Sequence, residues 1–166
     1  TVSDGAGGSV EQVLVVTING TNDAPTSSGT LTNSDARESG VDVSGVVDAV
    51  AATGGSDALF ANLTDVDDVI ADFSVSQAKE TTAGVLASVS GTEAANGTSI
   101  TGLYGTIKIG TDGSYSYVVD DTNNTVQALD ETQTLDDSFT VTVSDGAGGS
   151  VEQVLVVTIN GTNDAP

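Results

Sequence analysis

Apolar and polar residues alternate in the second half of the chain, and turn residues separate the alternating runs. The run that contains Ile107 and Ile109 is followed by the sequence TDGS at 111–114, and then by the run that contains Tyr115 and Tyr117. Asp-Gly between two alternating runs is a strong signal for a β-hairpin, because both residues tolerate the backbone conformation of a tight turn. The pattern predicts two antiparallel strands around this turn.

A second hairpin is predicted near the end of the chain. Phe139, Val141 and Val143 alternate with polar residues, the glycine-rich sequence 145–149 makes a turn, and 151–159 returns as a long strand. The return strand is apolar on both faces between 154 and 157. Since strands buried on both faces read as continuous apolar runs, we expect this strand to lie centrally in its sheet.

The first half of the chain has weaker signals. Val69, Ile70, Phe73 and Val75 predict a strand after an acidic loop, and Val41 to Val47 predict another. Helical content should be small, and its best candidate is a single turn at Thr125 to Leu129. Short strands with turns every 8 to 12 residues or so predict an all-β fold, an antiparallel β-sandwich. A parallel β-solenoid is the alternative, but its coil-length repeats are absent inside the unit.

The chain contains an internal repeat. Residues 1–25 and 142–166 are identical, so the period is 141 residues. Both copies end in NGTNDAP, whose Gly, Asn, Asp and Pro favour a linker. We therefore expect 26–166 to be one complete repeat of a tandem array with its C-terminal linker, and 1–25 to be the closing strands and linker of the preceding, truncated repeat.

The charge balance limits the possible partners. Only Arg37, Lys79 and Lys108 oppose 24 Asp and Glu residues, and the formal net charge is −21. Nucleic acid and anionic membranes need basic surfaces, so neither is expected as a partner. No apolar run reaches the length of about 20 residues that spans a membrane, so no membrane insertion is expected. The acidity serves either solubility or metal binding.

Metal binding would have to use oxygen ligands. The chain has no Cys and no His, which disfavours the usual zinc, iron and copper sites. Carboxylate, amide and backbone oxygens are calcium ligands. The sequence TDVDD at 64–68 is the first candidate, because in an extended D-x-D segment both carboxylates project to one side. It supplies Asp65, Asp67 and Asp68, with Asp72 shortly after; the alternative is a solvated turn.

Other candidate ligands lie in the linkers and turns. Asn19, Asn22 and Asp23, repeated as Asn160, Asn163 and Asp164, place oxygens where two units meet, although Asn-Asp before Pro also forms a simple turn. For Asp145 the turn interpretation leads, and Glu38 is a candidate from its place early in the unit. The remaining acidic pairs are expected to be solvated. They are Asp120, Asp121, Asp130, Glu131, Asp136 and Asp137.

Catalysis is not expected. The chain has no His for a general base, no Cys nucleophile and no G-x-S-x-G sequence. A pair of carboxylates could hydrolyse glycosides only in a cleft, usually with aromatic platforms, and aromatic residues are scarce here.

The motifs from Gly102 to Pro166 resemble a known family. The segments GLYGTIKIGTDGSYSY, NNTVQALDETQTLDDSFTVTVSDGAGGS and VTINGTNDAP are similar to the VCBS repeat of large bacterial RTX adhesins, and 64–76 is more weakly similar. The resemblance implies an immunoglobulin- or cadherin-like sandwich that is secreted by the type I route, lies at the bacterial cell surface and folds with extracellular Ca²⁺. NGTNDAP also resembles the calcium-binding linker of cadherins, which implies the linker ligands Asn22, Asp23, Asn163 and Asp164.

These observations predict a calcium-stabilised, non-catalytic spacer repeat of an adhesin for attachment or biofilm formation, whose partners are identical neighbouring repeats. A carbohydrate- or host-surface-binding module of the same adhesin is the alternative. Self-association through residues 1–25, by addition to a sheet edge, is a further expectation.

Overall fold

A computed structural model describes residues 1–42 and 45–163. The chain is all-β, as the alternation predicts. The strands are β1 (Val2–Ser3), β2 (Ser9–Val10), β3 (Thr26–Ser27), β4 (Leu31–Arg37), β5 (Gly40–Asp42), β6 (Gly45–Val47), β7 (Ala52–Gly54), β8 (Leu63–Thr64), β9 (Ser74–Glu80), β10 (Ala87–Ser88), β11 (Thr98–Thr101), β12 (Gly105–Ile109), β13 (Tyr115–Val119), β14 (Thr134–Ser144) and β15 (Ser150–Asn160). Within the described residues, helical structure is limited to 3₁₀ turns at Ala58–Phe60, Ile70–Asp72 and Ala94–Asn96. None of these is long and apolar enough to cross a membrane.

The longer strands form two sheets that pack as a sandwich. One sheet has the order β10-β9-β14-β15-β4, and the other has the order β11-β12-β13-β7. Neighbouring strands are antiparallel except β15 and β4, which are parallel. Tyr117 of β13 contacts Phe139 of β14 across the interface, with ring centroids 5.9 Å apart.

The alternation of side chains places the core between the sheets. In β15 the side chains of Leu155, Val157 and Ile159 are buried, and in the other sheet Ile107 and Ile109 are buried against them in the same cluster. Successive residues of a strand point to opposite faces, so every second residue reaches the core. Each such side chain stabilises the fold by about 1.5–3 kcal/mol relative to its exposed state.

Strands β14 and β15 define the long axis of the molecule. Each has 11 residues, paired from Thr134↔Asn160 to Ser144↔Ser150. At about 3.3 Å per residue the pair is about 35 Å long. The turn 145–149 therefore lies at one end of the sandwich, and the start of the C-terminal linker lies at the other.

Both predicted hairpins are confirmed. Strands β12 and β13 pair around Gly113, and β14 and β15 pair around the turn 145–149. Strand β15 has neighbours on both sides, β14 and β4, as its two apolar faces predict. Gly113 and Gly146 have φ angles of 78° and 80°, which explains the glycines of the two Asp-Gly turns.

The prediction of a strand from Val69 to Val75 is wrong at its beginning. Val69 and Ile70 are 65% and 45% exposed, residues 70–72 form a 3₁₀ turn, and β9 begins at Ser74. The Val69 N–H donates to Asp72 Oδ2 at 3.2 Å, so a local side-chain hydrogen bond replaces the strand pairing there.

The prediction of a single strand from Val41 to Val47 is also wrong. Two short strands, β5 and β6, pair with each other, with Val41 opposite Val46. Gly45 has a φ of 122°, a conformation that L side chains rarely adopt. The segment is thus a small hairpin and not one extended strand.

Residues 124–128 form turns without a regular helix, in the loop where the single helical turn was predicted. The Gln127 N–H donates to Asn123 O and the Leu129 N–H donates to Val126 O, both at 3.0 Å. Val126 is fully buried, so this loop closes the core at the linker end of the sandwich.

Within the N-terminal copy, residues 1–25, only β1 and β2 form a hairpin. Residues 11–25 contain no strand, and all side chains up to Ala24 are exposed. The assignment of this copy to a preceding repeat stays a prediction.

Candidate metal centre

The acidic loop lies between β8 and the 3₁₀ turn that precedes β9. Asp65 Oδ1 accepts the N–H of Asp67 at 3.1 Å and that of Asp68 at 3.4 Å. An aspartate that binds the backbone two residues ahead forms an Asx-turn, so Asp65 itself shapes the loop. Asp72 caps the following turn through the Val69 N–H. The hydrogen bonds of Asp65 shape the loop that carries Asp67 and Asp68, and the predicted ligand Asp72 is not part of the carboxylate group formed there.

The carboxylates of the loop lie close together. One oxygen each of Asp65, Asp67 and Asp68 lies within 4.8 Å of the others. Oδ2 of Asp65 and Oδ2 of Asp68 are buried and accept no hydrogen bond. Calcium binds oxygen at about 2.3–2.6 Å, so oxygens up to about 5 Å apart can share one ion. These three residues can hold a metal ion.

The electrostatics of the loop reflect crowded negative charge. Backbone hydrogen bonding, first from the Asp67 N–H, lowers the pKa of Asp65. Contact with the Asp65 carboxyl raises the pKa of Asp67, and desolvation followed by the charges of Asp67, Asp65 and Asp145 raises the pKa of Asp68. Like charges at this separation disfavour ionisation, and a cation relieves the repulsion.

The turn after β14 contributes a further carboxylate. Asp145 is 3% exposed, and its Oδ1 accepts the N–H groups of Ala147, Gly148 and Gly149 at 2.8, 3.0 and 2.9 Å. The turn interpretation of Asp145 is confirmed, because Oδ1 organises the turn, while Oδ2 accepts a hydrogen bond from Asn22 Nδ2. Its role as a metal ligand stays a prediction. The side-chain hydrogen bond from Asn22 is the main cause that lowers the pKa of Asp145.

The linker residues meet the acidic loop and this turn. Asn22 Nδ2 donates to Asp145 Oδ2 at 2.9 Å, and the Asp23 N–H lies 3.3 Å from Asp67 Oδ2. A Cβ at Gly149 would lie 2.8 Å from Ala24 Cα, so the linker crosses close to a residue that has no side chain. The linker thus meets both the acidic loop and the turn 145–149 at this end of the sandwich, through N–H donors that bind carboxylate oxygens.

The remaining predicted ligands lie at the opposite end. Glu38 is fully buried, and its Oε1 accepts the Thr162 N–H at 2.8 Å while Oε2 accepts Gln127 Nε2 at 3.4 Å. Asn163 Nδ2 donates to Val41 O at 3.3 Å. The length of β14–β15 separates both residues from the acidic loop. The predicted ligand Asp164 lies outside the described residues. Metal binding by Glu38, Asn163 and Asp164 at this end of the unit stays a prediction.

The prediction that Asp136 and Asp137 are both solvated is wrong for Asp137. Asp137 is fully buried and accepts the N–H groups of Leu103 and Tyr104, at 3.1 and 3.0 Å, and the hydroxyl of Tyr117 at 2.9 Å. Its position had a signal, because it shares the inward face of β14 with Phe139. Burial and this carboxylate raise the pKa of Tyr117. Asp137 joins the two sheets through its hydrogen bond with Tyr117, and it is not part of the candidate metal centre.

An apolar groove borders the acidic loop. Its volume is about 700 Å³, and its apolar lining residues are Leu63, Val69, Ile70, Ala71 and Phe73. Asp57, Thr64, Asp65 and Asp68 complete the lining. The groove therefore combines apolar side chains with two carboxylates of the acidic loop, those of Asp65 and Asp68.

No protein-family model matches this sequence, and no curated protein matches it significantly. The resemblance to the VCBS repeat stays a prediction from the motifs, and the site rests on its own geometry.

Proposed function

We propose that this chain is a calcium-stabilised, non-catalytic spacer repeat of a large bacterial surface adhesin that serves attachment or biofilm formation. The observation that carries the proposal is the meeting of the linker residues Asn22 and Asp23 with the carboxylates of Asp67 and Asp145. A cation at this place would join a linker to the unit that follows it.

Calcium is the ion that the donor set favours. The ligands that the acidic loop offers are carboxylate oxygens, and calcium takes about six to eight oxygens in flexible geometry. Magnesium is smaller and requires near-octahedral geometry with retained waters. The buried Oδ2 atoms of Asp65 and Asp68, which accept no hydrogen bond, support a cation as their partner.

The spacer role is supported by the repeat and by the two ends of the unit. Identical copies at 1–25 and 142–166 imply neighbours joined through the same linker. The resemblance to adhesin repeats supports an extracellular location at the bacterial surface. The absence of His and Cys from the sequence supports a non-catalytic role.

The stabilisation expected from calcium is large relative to the stability of one domain. A ligand at 100 times its Kd stabilises the folded state by about 2.7 kcal/mol per site. The total free energy of unfolding of a domain is about 5–15 kcal/mol. We therefore expect a clear rise in Tm with millimolar Ca²⁺ and a much smaller rise with Mg²⁺.

The double variant Asp65→Asn and Asp67→Asn tests this site. We expect it to lose most of the calcium-dependent rise in Tm and to weaken calcium binding measured by calorimetry. The matched control is Asp35→Asn with Asp48→Asn, which removes the same charge at two exposed positions outside the site. If the site variant and the control respond to calcium as the unaltered chain does, the acidic loop is not the binding site.

A further inference from the structure

The two ends of the structure show the same linker from its two sides. Because the period is 141 residues, Asn22 and Asn163 are one position of the tandem array. The contacts of Asn163 show how the linker leaves a unit, and the contacts of Asn22 show how it reaches the next unit. This comparison depends on the tandem arrangement in the proposed function, and it is independent of calcium.

On the leaving side the linker is fixed to its own unit. Thr162 is 6% exposed, and its N–H donates to Glu38 Oε1 at 2.8 Å. A Cβ at Gly40 would lie 2.7 Å from Thr162 Cγ2, so this glycine lets the linker pack directly on β5. The Val41 N–H then donates to Asn163 O at 2.9 Å. The chain is held up to and including Asn163.

On the arriving side the linker is held from the same position onward. Asn22 Nδ2 donates to Asp145 Oδ2 at 2.9 Å, and the next residue, Asp23, donates its N–H to Asp67. Ala24 follows in close contact with Gly149. Pro25 is buried, and β3 begins at Thr26. The following unit therefore holds every linker residue from Asn22.

In the array, one asparagine would make both sets of contacts. Its backbone oxygen accepts from Val41 of its own unit, and its side-chain amide reaches Asp145 of the following unit. The amide carries two N–H donors, so the bond to Asp145 and the 3.3 Å bond to Val41 O are compatible. With the positions on either side held as well, no residue of the linker is free, and the facing ends of two units must lie close together.

Both facing ends expose apolar side chains next to the linker. The β5–β6 hairpin, which binds Asn163, exposes Val46 at 81% and Val41 at 37%. The groove end of the next unit exposes Val66 at 87%, Val69 at 65% and Ile70 at 45%. Burial of these side chains in a joint would be favourable, at about 25 cal/mol per Å² of apolar area.

We propose that the β5–β6 hairpin of each repeat packs against the apolar groove of the following repeat, so that the joint is a direct contact between the two units. The occupant of the groove is the preceding copy of the same repeat in the same chain.

The test uses the full chain extended by a second copy of residues 26–166. Since the chain has no Cys, single cysteines at Asp48 of the first unit and Ala147 of the second, both exposed, accept spin labels at defined positions. The distance distribution between the labels reports the rigidity of the joint. We expect one narrow distribution in the unaltered extended chain.

The substitution Val46→Asp in the first unit should abolish the narrow distribution, because it places a charge in the joint. The matched control is Val46→Asp in the second unit, whose hairpin has no following unit; we expect it to leave the distribution narrow. Val69→Asp gives the reciprocal pair, with the effect expected in the second unit only. In the single chain, V46D should leave Tm unchanged, since the side chain is exposed there.

Equal distributions for first-unit and second-unit V46D would overturn the proposal. Measurements with EDTA and with calcium separate it from the proposed function. A distribution that narrows with calcium but is insensitive to V46D rejects the hairpin contact and keeps the calcium spacer. If the distribution is narrow in EDTA and V46D in the first unit broadens it, the hairpin contact is supported without calcium. If calcium then leaves Tm unchanged as well, the calcium role alone is rejected.

Discussion

The two copies of the repeated segment have the same sequence and fold differently. Their turns agree: Val2 pairs with Val10 in the first copy as Val143 pairs with Val151 in the second. In both turns the aspartate side chain accepts backbone N–H groups of the residues that follow it, and the first two glycines, Gly5 and Gly7 or Gly146 and Gly148, adopt positive φ. The turn is therefore encoded locally, by Asp and Gly.

Beyond the turn the copies diverge. Leu14 is 84% exposed and belongs to no strand, whereas Leu155, its counterpart, is 1% exposed in β15. Strand β15 pairs with β14 on one side and with β4 on the other. Among the described residues, 11–19 pair with no strand. The long strand is thus a consequence of tertiary pairing, and identical propensity does not produce it alone.

This pair of segments is its own control for mutagenesis, because local sequence effects cancel between the copies. The largest difference is expected for Leu155→Ala against Leu14→Ala. Removal of a buried leucine side chain destabilises a domain by about 2–5 kcal/mol, while the exposed copy should change the free energy of unfolding by less than about 0.5 kcal/mol. Urea unfolding measures both. Equal effects would mean that residues 11–19 are packed in solution.

A smaller difference is expected for Gln153→Ala against Gln12→Ala. Gln153 is fully buried; its Oε1 accepts Ser27 Oγ at 2.7 Å, and its Nε2 donates to Gly29 O at 2.8 Å. Its loss leaves buried polar groups unpaired, at a cost of about 1–3 kcal/mol. Gln12 is exposed, so its variant should unfold as the unaltered chain does. If Gln153→Ala leaves the free energy of unfolding unchanged, β3 is not held through this side chain.

The smallest difference is expected for Asp145→Ala against Asp4→Ala. Both aspartates organise identical turns, but only Asp145 also binds the linker residue Asn22. We expect the Asp145 variant to lower Tm, and to lower it more in calcium than in EDTA. The Asp4 variant should leave Tm unchanged in both conditions, because its hairpin packs on no other strand. A calcium response that is the same in both variants would remove Asp145 from the metal centre.

The predictions from sequence failed in two situations. In one, a side-chain hydrogen bond replaced strand pairing; in the other, the face of the strand on which a residue lies decided whether its side chain is buried. Val69 and Ile70 have high strand propensity, yet the hydrogen bond from Val69 to Asp72 turns the chain there. Asp137 was assigned to solvent by its charge, although its inward position on β14 places it in the core. Both outcomes follow from interactions that average propensities do not contain.

The sequence by itself determined the all-β fold, the two hairpins and the repeat, because alternation, Asp-Gly turns and identity are readable along the chain. It also identified Asp65, Asp67 and Asp68, which cluster because they are neighbours in one loop. Only the tertiary structure decided that Asn22 meets Asp145, 123 residues later, and that Glu38 lies at the opposite end. Such meetings depend on which ends of the strands the sheets bring together, and spacing along the chain does not contain that information.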